Sequence, residues 1–76
     1  MKTTIRECER AARVLRAADD RVRARGEYDA PTEPDGTTIL ARRNEAWYAL
    51  GYAIDRLPAS TRRRHESRLM ELAGYY

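Results

Sequence analysis

The chain has one cysteine, one histidine and no run of 18 apolar residues, and each scarcity excludes a class of protein. A lone Cys8 forbids an internal disulfide and fits a reducing cytoplasm, the compartment expected here. Cys8 and His65 stand far apart with no further cysteine or histidine, so the ligand clusters of zinc and copper sites are missing. A Cys8–His65 nucleophilic pair would also need a third group to orient the imidazole, and the sequence marks none. With no long apolar run there is no candidate membrane span. The N-terminal MKTTIREC lacks the apolar core of a secretory signal. Glycines fall singly at 26, 36, 51 and 74, so no phosphate-cradling loop exists. Repeats and low-complexity tracts are absent too. The expectation is a protein without catalytic, cofactor-binding or metal-binding residues.

What remains is a polar chain of 76 residues, 36% charged and 42% hydrophobic, which is enough for one small domain with a thin core. Near this size, oligomerisation often supplies the missing stability. The net charge of +3 comes from 14 arginines and the single Lys2. Codon usage in a GC-rich genome would produce the same excess of arginine and alanine. The placement of the arginines is therefore more informative than their number.

Three segments carry helical periodicity. The first spans about 4–25. Thr4 and Glu7 match a capping box, and Ile5, Cys8, Ala12, Leu15 and Val22 form one stripe, widened by Ala11 and Ala18. Glu9 with Arg13, and Asp19 with Arg23, are i,i+4 pairs in the favourable order. Gly26 is the expected stop. The second helix runs from about Thr38 or Leu40 to Leu57, and Pro58 ends it or opens the next. The third spans about 59–73, with an inner seam of His65, Leu69, Leu72 and Ala73 and with Gly74 as its stop. His65 reads as a packed, hydrogen-bonded core residue. Between the first two helices lies GEYDAPTEPDGTT, residues 26–38, whose two prolines, Asp-Gly pair and four unopposed acids exclude a helix. A short hairpin pairing 27–30 with 37–40 is the minor alternative there. The predicted architecture is a single all-α domain over 1–76, an open bundle of three helices near 4–25, 40–57 and 59–73. Its core is expected to be Leu15, Trp47, Leu50, Ile54, Leu57 and Leu69.

The second helix has more apolar surface than so small a bundle can hide. Leu40, Trp47, Leu50, Ile54 and Leu57 gather on one face, while Tyr48 and Tyr52, a turn apart, stand on another beside Ala41. Tyrosine, tryptophan and arginine dominate interface energetics, so Tyr48 and Tyr52, with Tyr75 and Tyr76 of the tail, are candidate partner-binding residues. Core packing is the competing reading, with the C-terminal tyrosines folding back over Tyr48 and Tyr52.

Arg62, Arg63 and Arg64 form the second candidate. Placed in the first turn of the third helix, they oppose the local dipole unless an anion docks there. Arg42 and Arg43 have the same placement in the second helix. Pairing with the linker acids Glu27, Asp29, Glu33 and Asp35 is the simpler explanation. A helix-turn-helix through Leu57–Thr61 would aim the third helix at a DNA groove. Against it, the turn has no glycine, the third helix has few base-readers such as Asn or Gln (although arginines can read guanine), and the first helix shows mixed charge rather than a basic face.

These features favour a non-enzymatic binding protein that occupies a macromolecular surface, with an acidic protein surface as the expected partner. In size and economy the chain is similar to phage and mobile-element products that inhibit host machinery, anti-CRISPR proteins among them, although no family motif is present. The alternatives are a small DNA-binding regulator using the third helix, with nucleic acid as partner, and a homodimeric scaffold or antitoxin-like subunit.

Overall fold

The computed structural model describes residues 3–25 and 38–75. They form three helices, α1 (Ile5–Arg25), α2 (Ile39–Asp55) and α3 (Ala59–Leu72), with no β-strand among the described residues. The all-α bundle is as predicted. Gly26, the acidic linker and the hairpin alternative over 27–30 fall outside the described residues.

Local chemistry starts and stops each helix. At the head of α1 the Thr4 hydroxyl accepts from the Glu7 N–H at 3.2 Å, and Thr4 N–H donates to the Glu7 carboxylate at 3.2 Å. Two donors that a helix end leaves orphaned are thus satisfied reciprocally. Thr38, in extended conformation, caps α2 by accepting from Ala41 N–H at 3.0 Å. α2 ends at Asp55, two residues before the expected Leu57, because Leu57 N–H turns back to the Ile54 carbonyl at 3.1 Å. Leu57 is buried all the same. Pro58 occupies the N-cap of α3, where its missing N–H costs nothing.

Burial on α1 follows Cys8, Ala12, Leu15 and Val22, the first three fully inaccessible. Alanine and cysteine on this stripe let another backbone approach closely, and α2 packs along it most extensively. α3 touches α1 less, and α2 and α3 touch each other least. The molecule measures 41 × 27 × 15 Å, so its thin dimension scarcely exceeds one helix with side chains. The main core joins Cys8, Ala12 and Leu15 to Ala46, Leu50, Ile54, Leu57, Leu69 and Ala73.

Two expectations about this core fail. Trp47 is 39% exposed and Leu40 37%, while Ile39 and Ala46 are buried in their place. The reason is angular. With Leu50 at the centre of the buried face, Ile39, Arg43, Ala46 and Ile54 fall within about 40° of it, whereas Trp47 lies about 60° and Leu40 about 80° away. Trp47 thus sits on the shoulder, with one edge packed and the other wet. His65 is half-buried rather than core, and it makes no hydrogen bond among the described residues. It lines a cavity of about 180 Å³ between α1 and α3 with Ile5, Glu9, Arg68, Leu69 and Leu72.

Leu50 is 2% exposed at the centre of this single-layered core. Leu50→Ala is expected to cost about 2–5 kcal/mol, a large share of the stability of so small a domain. Urea denaturation of the two proteins side by side measures it, and a shift below about 1 kcal/mol would mean that Leu50 is not central to the packing.

Candidate functional site

The outer surface of α2 and the seam between α2 and α3 form the most distinctive surface of the molecule. Tyr48 and Tyr52 are each 65% exposed. They lie about 160° from Leu50 on the helical wheel, on opposite sides of the pole that faces away from the core. Tyr75 does not fold back to cover them. Beside them, where α2 and α3 diverge, runs a groove of about 160 Å³. Leu50 and Ile54 form its floor, Trp47 and Met70 its apolar walls, and Asp55, Arg62 and Glu66 its polar rim. Gly51 opens onto the same groove. A Cβ built at Gly51 would meet no atom within 4 Å, so no close contact inside the chain requires glycine there. In a helix interior glycine costs about 1 kcal/mol relative to alanine.

A polar cluster holds the wall of this groove. The Asp19 carboxylate on α1 accepts from Arg43 Nε at 2.7 Å and from the Tyr75 hydroxyl at 2.9 Å. Arg43 Nη2 donates to the same Tyr75 oxygen at 2.8 Å, closing a triangle. The Arg43 guanidinium also stands 5.6 Å from the Trp47 ring, and Trp47 meets Tyr75 edge-on at 5.1 Å between centroids. Both geometries suit the ring quadrupole. The hydrogen bond to Asp19 is the main cause of a raised Arg43 pKa. Burial, then the bond to Asp19, push the Tyr75 phenol above its ordinary value.

Tyr75 reaches this place because α3 ends in a Schellman turn. Gly74 takes φ +93°, which glycine adopts without a Cβ penalty. Gly74 N–H bonds to the Glu71 carbonyl and Tyr75 N–H to the Met70 carbonyl, each at 3.0 Å. That turn aims the Tyr75 ring at α1 and α2. Asp19 is accordingly committed to Arg43 and Tyr75 rather than to Arg23, as its i,i+4 spacing suggests, while the Glu9–Arg13 pair is present at 3.8 Å.

The arginine candidates separate. Arg62, Arg63 and Arg64 begin one turn inside α3 rather than in its first turn, since Arg62 N–H already bonds the Pro58 carbonyl at 2.8 Å. Arg62 is paired with Asp55 at 3.0 Å and Glu66 at 3.5 Å. Arg63, Arg64 and Arg42 are exposed. Arg43, half-buried, belongs to the polar triangle, as does Tyr75. Tyr76 and the linker acids lie outside the described residues. The sequence-predicted site residues that end together are therefore Tyr48 with Tyr52, Arg62 on the rim of the adjacent groove, and Arg43 with Tyr75 in the triangle behind its wall. Gly51, Met70 and Asp19 were not singled out beforehand. Gly51 alone carried a legible signal, being a glycine inside an otherwise regular helical pattern.

Cys8 is buried, and burial, reinforced by nearby Glu7, raises its thiol pKa, which keeps it protonated. Among the described residues no group of three or more His, Cys, Asp or Glu side chains could hold a metal, and no helix is long and apolar enough to cross a membrane. Known family models, curated proteins and solved structures return no match to this chain.

The raised phenol pKa carries a pH signature. Its folded value lies above the unfolded one, so the folded state holds the proton more tightly. The associated stability is intact below about pH 10 and is lost as pH rises through the folded value. Thermal melts between pH 8 and 11 are expected to show that loss, and Tyr75→Phe, less stable by about 1–2 kcal/mol at pH 7, to show less of it. Parallel alkaline profiles for the two proteins would separate the loss from Tyr75.

Proposed function

We propose that this protein is a non-enzymatic binding module that docks on another protein through the outer face of α2 and the α2–α3 groove. One observation carries the reading: Trp47, Tyr48 and Tyr52 remain exposed beside an apolar groove. Aromatic side chains offer large, stiff contact area at low entropic cost, which is why they anchor interfaces. Gly51 supports it, since an interior glycine with open space before it permits close approach of a partner backbone. The Asp19–Arg43–Tyr75 triangle holds Trp47 in place before any partner arrives, which reduces the ordering cost of binding. Arg63 and Arg64, exposed on α3, suit an acidic margin on that partner.

Such a module acts by covering a surface that its target needs, the manner of the small phage inhibitors that the chain matches in size. The helix-3 DNA-reading alternative draws less support, because Arg62 is committed to Asp55 and Glu66.

Affinity capture from the native host with wild-type bait, compared with Tyr48→Ala/Tyr52→Ala bait, tests the docking face. Both tyrosines are exposed, so the stability of the double variant is expected to change by no more than the small range of surface changes, about 0.5 kcal/mol. Its partner should bind at least tenfold more weakly. Equal capture by a folded double variant refutes the face.

Gly51→Ala gives a sharper dissociation. It is expected to stabilise the free protein by about 0.5–1 kcal/mol through helix propensity while weakening the captured partner. A gain in stability with unchanged affinity would show that nothing approaches Gly51.

A further inference from the structure

Opposite its buried stripe, α1 has a surface that the mixed charge of its sequence does not announce. Arg6, Arg10 and Arg13 are all exposed, and with Val14 and Ala17 they line one shallow depression on the outer side of the helix. Steps of four and three residues set the three guanidinium groups in a row about 10 Å long.

Three of the four acids of α1 are turned away from this row, and the fourth, exposed Asp20, lies two turns beyond Arg13. Glu7 is folded onto the Thr4 N–H at the helix start. Asp19 faces inward to Arg43 and Tyr75. Glu9 sits on the flank toward α3, in the cavity with His65 and Arg68, and reaches Arg13 only at 3.8 Å. Arg6 and Arg10 have no ion pair among the described residues. Codon usage would account for the number of arginines but not for this segregation, which leaves three like charges adjacent with one long ion pair to offset them.

We propose that the Arg6–Arg10–Arg13 row binds the phosphate backbone of a nucleic acid. Guanidinium groups take phosphate oxygens by paired, charge-assisted hydrogen bonds. A duplex presents one negative charge per about 1.7 Å, so a 10 Å row faces about six of them. An acidic protein surface seldom offers such a density, which favours nucleic acid over protein as the occupant of this face. Ala17 keeps the helix low next to the row, and a bare helix face fits a groove about 12 Å wide. Contacts of this kind position a protein on the duplex without reading its sequence. This surface is distinct from the α2 face and from Arg62–Arg64 of α3.

Fluorescence anisotropy of the whole chain against a short mixed-sequence duplex, the matching single strand and polyglutamate tests the proposal. Wild type is expected to bind the duplex with a log–log salt slope of about −2.7, three phosphates' worth. Arg6→Ala/Arg10→Ala/Arg13→Ala should lose nearly all of that slope and at least tenfold in affinity. Alanine is the best helix former, so helicity and melting temperature should hold. If that variant fails to fold, the corresponding glutamine triple variant gives the same comparison. Arg63→Ala/Arg64→Ala should keep the wild-type slope. Tighter binding of single strand than of duplex would retain the phosphate chemistry and identify the strand as its source. No duplex binding at about 50 mM salt, an unchanged slope in the triple variant, or polyglutamate bound as tightly as duplex would overturn the proposal.

Discussion

One helix carries the other two, and the rest of the structure follows from that constraint. Cys8, Ala12 and Leu15 lie on a single inaccessible stripe of α1, and both α2 and α3 seat against it while touching each other little. Small side chains make the close seat possible, but they bury little apolar area each, about 25 cal/mol per Å² of it. A core one layer thick has no second layer with which to cover the far side of α2. The open seam between α2 and α3, with Leu50 and Ile54 on its floor, is a direct consequence.

Because apolar packing between α2 and the C-terminal end of α3 is slight, polar chemistry supplies part of the connection. Asp19, Arg43 and Tyr75 come from α1, from α2 and from the residue after the Schellman turn, and each satisfies the other two. A half-buried carboxylate and guanidinium are stabilising only when hydrogen-bonded, and here the phenol gives each a further partner, while Asn44 accepts from Arg43 Nη1 at 3.2 Å. The triangle also fixes the Trp47 ring through its contacts with Arg43 and Tyr75. The same three residues thus close the fold and prepare the wall of the candidate binding surface.

The two charged surfaces differ in kind. Arg62 is neutralised by Asp55 and Glu66 at the groove rim, where it shapes the polar margin of an apolar site. On α1, Glu7, Asp19 and Glu9 are withdrawn to the cap, the interior and the flank, and Arg6, Arg10 and Arg13 stand together in the open two turns before the exposed Asp20. Glu7 and Asp19 have each found a better partner than a neighbouring arginine one turn away, since a backbone N–H or a half-buried guanidinium outbids a solvated surface pair.

The capping box at Thr4 and Glu7, Pro58 and Gly74 were all legible, because each acts on residues within a turn or so of itself and needs no tertiary context. Helical periodicity likewise identified Leu15, Leu50, Ile54 and Leu69 as buried. The same residues had to be placed by rotation around α2 before Trp47 could be seen on the shoulder and Ala46 inside, and a 60° difference is finer than an apolar pattern resolves. Tyr48 and Tyr52 were marked as candidates by type and spacing, yet whether they were covered depended on where Tyr75 went. Asp19, Arg43 and Tyr75 are separated by up to 56 positions, and no local rule joins them. The sequence alone determined which segments are helical and, to within two residues, where α2 and α3 stop, because those energies are local. The choice of which arginines pair, which aromatics stay wet and which helix faces are left open was made only when three helices met, since each depends on what lies across the gap.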